Sequence, residues 1–137
     1  MARSDSTVVL PNLATAPQWV RDARIYCLFF KAFTASGRIA DAIPRLDYIK
    51  ALGFNVIWVL PVMDVEGIID QGANVGYNII DFQHVDPVYG SDADFKAFVE
   101  TAHQVGLRVI LDITPNHSSR SHPFALDARA NRKYSRY

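Results

Sequence analysis

The chain has 137 residues, half of them hydrophobic and a fifth charged, with 14 basic side chains balanced by 14 acidic ones. That size and mix fit one globular domain, and a zero net charge provides no field for nucleic acid or an anionic membrane surface, which leaves a neutral ligand as the expected partner. No apolar run approaches the roughly 18 residues of a membrane span, and Val8–Leu10 before Pro11 is too short for a secretory core, so a cytoplasmic location is expected.

Residues 1–18 read as a loose arm ahead of a domain over residues 19–137. A first strand is predicted over Arg24–Lys31, closed by the loop signal Thr34–Gly37. The lone cysteine, Cys27, falls inside this run and reads as a buried, inert thiol. Ile39, Ile43, Leu46, Ile49 and Leu52 then follow helical spacing, with Asp41 as N-cap, Pro44 in the first turn and Gly53 just past the end. Asn55–Pro61 is apolar without alternation, the pattern of a parallel strand covered on both faces. A long polar, glycine-rich stretch from Met63 to Gly90 follows.

Ser91 and Asp94 form an S-x-x-D helix start, and Phe95, Phe98, Val99, Ala102 and Val105 line one stripe up to Gly106. The run Leu107–Ile113 reads as a buried third strand that ends in Asp112, Asn116 and His117, polar groups held at the mouth of a core. Helix, glycine, short link and buried strand thus occur twice, around Gly53 and around Gly106. The order strand, helix, strand, helix, strand implies an α/β fold with a parallel sheet, either doubly wound or part of a (β/α)8 TIM barrel, with ligands at the C-terminal strand ends. The loop after the first strand holds one glycine, and no G-x-G-x-x-G or G-x-x-x-x-G-K-[ST] occurs, so a nucleotide-binding sheet is disfavoured. The long excursion after the second strand suits a functional loop above a barrel.

Six pieces carry a family resemblance: Trp19–Tyr26, Ile43–Gly53, Val56–Pro61, Gly76-Tyr77, Val85–Gly90 and Leu111–His117. Together and in this order they resemble the N-terminal part of the α-amylase family, glycoside hydrolase family 13. The resemblance implies a (β/α)8 barrel acting on α-glucosidic bonds with retention of configuration, on an α-glucan or oligosaccharide substrate. Such barrels need roughly 250 residues, so the chain is expected to hold an incomplete N-terminal portion, cut after the third strand.

The same resemblance assigns roles. His117, in D-x-x-x-N-H, is expected to hydrogen-bond a hydroxyl of the sugar beside the cleaved bond, a task suited to neutral imidazole as donor and acceptor; the plainer alternative is a histidine that caps a strand end. Asp112 shares a strand face with Ile110 and is expected to orient the site through an arginine near the nucleophile, not to act as acid or base. Tyr77 is expected to stack on the same sugar, although Asn78 follows it where many relatives have aspartate. Asn116 resembles a calcium-ligating asparagine, yet calcium needs six to eight oxygens, and a loop-bracing role is the simpler reading; no cofactor is required. Zinc is disfavoured, because His117 and His122 lie in a loop without accompanying cysteines.

Retaining hydrolysis needs two carboxyl groups about 5 to 5.5 Å apart. In the family these follow the fourth and fifth barrel strands, with a further aspartate after the seventh, all beyond Tyr137. Asp64, Glu66, Asp81, Asp86 and Asp112 match none of them. The expectation is a fragment of a glycoside hydrolase or transglycosylase, inactive alone and with no catalytic residue of its own. The alternative is a non-catalytic carbohydrate-binding or self-assembling half-barrel module.

Overall fold

The computed structural model describes residues 15–67 and 76–137. A helical turn α1 (Gln18–Arg21) leads into strand β1 (Ile25–Leu28), and the turn α2 (Phe30–Phe33) follows. Next come α3 (Ile39–Ala42), a 3₁₀ segment (Ile43–Arg45), α4 (Leu46–Ala51) and β2 (Val56–Val59). An antiparallel hairpin, β3 (Met63–Val65) and β4 (Ile79–Val85), precedes α5 (Asp92–Gln104), β5 (Arg108–Leu111) and α6 (Pro123–Asn131). Most of the arm expected over residues 1–18 lies outside the described residues.

The main sheet has the order β1-β2-β5, parallel throughout, with Cys27, Trp58 and Ile110 level with one another across the three strands. This is the strand, helix, strand, helix, strand arrangement of an incomplete (β/α)8 barrel; the described residues do not close it. Side chains alternate between the two faces. On one face Leu28, Ile57 and Val59 pack beneath Ile39, Ala42, Leu46, Ile49, Phe98 and Ala102, and all of these are buried.

The other face is largely bare. Ile25 is 48% exposed, Trp58 40% and Ile110 39%, and Cys27 is exposed as well. The expectations that Cys27 is buried, that Asn55–Pro61 is covered on both faces and that the third strand is buried are therefore corrected. The reason is the same for all three: apolar sequence reports what a strand face is suited to touch, not whether the neighbouring layer is present.

Local chemistry explains the boundaries. Ser91 Oγ accepts from the Asp94 amide at 3.2 Å while the Asp94 carboxylate accepts from the Ser91 amide at 2.8 Å, a complete capping box that starts α5. The first helical region begins at Ile39 instead of at an Asp41 cap, and Pro44, lacking an amide hydrogen, tightens residues 43–45 into a 3₁₀ turn between α3 and α4. β1 stops at Leu28, short of the predicted Lys31. Phe30 enters a helical turn that buries its ring edge-on against Phe98 at 5.2 Å, a tertiary contact that overrides its strand preference. The stretch 63–90 holds a hairpin in place of irregular loop, and α6 forms where the sequence suggests only loop, with His122 Nδ1 accepting from the Phe124 amide as its cap.

Candidate substrate-binding site

The C-terminal ends of β1, β2 and β5 share one edge of the sheet, and the loops gathered there carry the candidate residues. Asp112 directly follows β5 and continues its ladder, its amide donating to the Val59 carbonyl at 2.9 Å. Its alternation with Ile110 turns the carboxylate toward the bare face. Gly76 delivers the next group. Its φ is +102°, and a Cβ there would lie 2.9 Å from the Pro61 carbonyl oxygen, so only glycine lets the chain pass this close over the end of β2.

Tyr77, placed by that crossing, donates from its hydroxyl to Asp112 Oδ2 at 2.7 Å. Burial, and then this hydrogen bond to a carboxylate, push the Tyr77 phenol up to about 12. The Tyr77 carbonyl in turn receives the His117 ring, Nε2 lying 3.0 Å away. A carbonyl oxygen can only accept, so Nε2 carries the proton and the Nδ1 edge is left for a ligand. Asp112, Tyr77 and His117 therefore form one connected group at the mouth of the sheet.

The loop that bears His117 is fixed from below. The Ser119 amide donates to the Ile79 carbonyl at 2.8 Å, and the Ser119 hydroxyl donates to Glu66. Ser121 Oγ donates to the other carboxylate oxygen of Glu66 at 2.9 Å. These partners hold the Glu66 carboxyl below its ordinary range, the two serine hydroxyls foremost. Glu66 and Ser119 carry no sequence signal that marks them as part of a site, because a serine and a glutamate 53 positions apart have no motif in common.

Asn116 is exposed beside His117, Ser118, Phe82 and Phe124, which line a cavity of about 360 Å³. Among the described residues no group of three or more histidine, cysteine, aspartate or glutamate side chains could hold a metal ion. A larger cavity of about 620 Å³ lies between the hairpin, α5 and the end of β5, lined by Phe82, Val85, Phe95, Leu111 and Ile113. Leu111 and Ile113 point opposite to Asp112 along the chain, so this space opens on the helix side and is separate from the Tyr77–Asp112 group.

A family model described as alpha amylase, catalytic domain, matches residues 11–137. The chain belongs to the α-amylase family. Among α-amylase-family relatives, Alpha-amylase MalA of Haloarcula japonica is 38% identical over 112 residues, which is 80% of this chain and 16% of that protein. Trehalose synthase/amylase TreS of Mycobacterium tuberculosis is 38% identical over 122 residues, covering 85% of this chain and 20% of that one.

Solved structures agree with the α-amylase-family assignment. Trehalose-6-phosphate hydrolase of Bacillus licheniformis superposes with a TM-score of 0.74 at 36% identity, over 89% of this chain and 22% of that one. An isomaltulose synthase variant of Erwinia rhapontici NX5, solved with its natural substrate sucrose, gives 0.76 at 26% identity, over 85% and 21%. The chain thus spans between 16% and 22% of the length of these α-amylase-family proteins. No helix among the described residues is long and apolar enough to cross a membrane.

Proposed function

We propose that the chain is the front section of an α-amylase-type glycoside hydrolase or transglycosylase and supplies part of an α-glucosyl subsite. The hydrogen-bonded group Asp112–Tyr77–His117 at the C-terminal strand ends carries this reading. Asp112 anchors the tyrosine hydroxyl and so fixes the plane of a ring whose flat face suits the C–H face of a pyranose. His117, held through Nε2, presents Nδ1 to a sugar hydroxyl. Among the residues that directly follow β1, β2 and β5 the one carboxylate is Asp112, already engaged by Tyr77. Retaining chemistry needs a carboxyl pair, so these residues hold and orient a sugar and do not cleave its bond.

The test is an assay of the purified chain for reducing sugar released from maltodextrin, sucrose and trehalose. No turnover is expected. Turnover that vanishes in His117→Ala would sink the assignment of a holding role without catalysis. A second reading, a carbohydrate-binding half-barrel that assembles with itself, draws support from the bare sheet face and the two open edge strands, β1 and β5. A defined oligomer that melts cooperatively would favour it.

A further inference from the structure

We propose that Glu66 is a positioning residue that clamps the loop carrying His117 onto the β3–β4 hairpin, so that the imidazole stays against the Tyr77 carbonyl. The bearing of this clamp on sugar binding rests on the reading given under Proposed function; the clamp itself rests on the hydrogen bonds.

The Glu66 carboxylate is acceptor-only and has two oxygens to satisfy. One takes the Ser119 hydroxyl and the other the Ser121 hydroxyl, so a single side chain from the end of β3 ties two points of the loop that follows β5. Ser119 is fully buried and its amide is already committed to Ile79 on β4, which leaves its hydroxyl no solvent to turn to. Ser121 reinforces the same geometry by donating its amide to Ser119 Oγ at 3.0 Å. His117 lies two residues before Ser119, so the depth at which the serine is pinned sets where the imidazole stands.

The backbone ties Glu66 to the strand that follows Tyr77: the Glu66 amide donates to the Asn78 carbonyl at 2.9 Å. The carboxylate is thus anchored on the hairpin at one end and on the loop after β5 at the other.

The experiment uses the full chain as wild type, Glu66→Gln and Ser121→Ala. Two quantities are read: the ring nitrogen resonances of His117 without ligand, and the affinity for methyl α-D-glucoside by NMR titration. Glu66→Gln keeps the shape of the side chain and removes one of its two acceptors, so it is expected to shift or broaden the His117 signals and weaken the glucoside about five-fold, the size of one lost hydrogen bond. Ser121→Ala, which leaves the Glu66–Ser119 contact in place, is expected to move the same signals by less. Unchanged His117 signals in a folded Glu66→Gln overturn the clamp; where Glu66→Gln does not fold, unchanged signals in Ser121→Ala overturn it. Should His117 respond as expected while the wild type binds no glucoside, the clamp stands and the sugar-site reading falls.

Discussion

Tyr77 illustrates how much one side chain depends on its neighbours. Its ring is positioned by a glycine that no other residue can replace without meeting the Pro61 carbonyl, and its hydroxyl is fixed by Asp112. Removing that hydroxyl in Tyr77→Phe should lower stability by about 1 kcal/mol near neutral pH, as read in urea unfolding. Because the folded phenol is raised from 10.0 to about 12, its contribution is complete below pH 10 and is lost as the pH rises through about 12. The wild-type advantage over Tyr77→Phe should therefore shrink across that window; a constant difference would refute the Tyr77–Asp112 bond. At this scale the sequence exposes Tyr77, Asp112 and His117 as candidates through their motifs. It hides Glu66 and Ser119, since their meeting depends on how the hairpin and the β5 loop stack.

At the scale of elements, α5 shows where local chemistry is enough. Ser91, Asp94 and the apolar stripe from Phe95 to Val105 mark its start and its buried face, and the capping box is present as expected. Ser91→Ala removes the side-chain acceptor for the Asp94 amide and should cost about 1 kcal/mol, seen as a lower urea midpoint with an unchanged slope. Asp94, whose carboxyl is held below its ordinary range by the Ser91 hydroxyl and then by the Ser91 amide, keeps only the amide in the same variant. The helical turn α2 and the hairpin show the opposite case. Phe30 leaves the strand because Phe98 offers its ring an edge-on partner, and Met63–Val65 finds β4 across a gap in sequence that no short-range signal bridges. Tertiary contacts decide such elements, and a linear reading of propensity does not contain them.

For the whole molecule, the repeated helix–glycine–strand unit makes the parallel sheet legible, but exposure is not. The strands are apolar enough to be covered twice, yet one side of the sheet presents Ile25, Trp58 and Ile110 to solvent. A contiguous apolar face of this kind favours association. The isolated chain is expected to self-associate at micromolar concentrations in sedimentation velocity. Trp58→Lys combined with Ile110→Lys should shift it toward monomer while leaving the helix-side core intact; an unchanged distribution would place the contact elsewhere. At the other end of this face, the Arg108 guanidinium lies 4.9 Å from the centre of the Trp19 ring. An arginine keeps its charge at every accessible pH, and an indole can stabilise it without an anion. Whatever surface comes to cover the sheet therefore meets a guanidinium that already has an indole beside it, supplied by the turn ahead of the first strand.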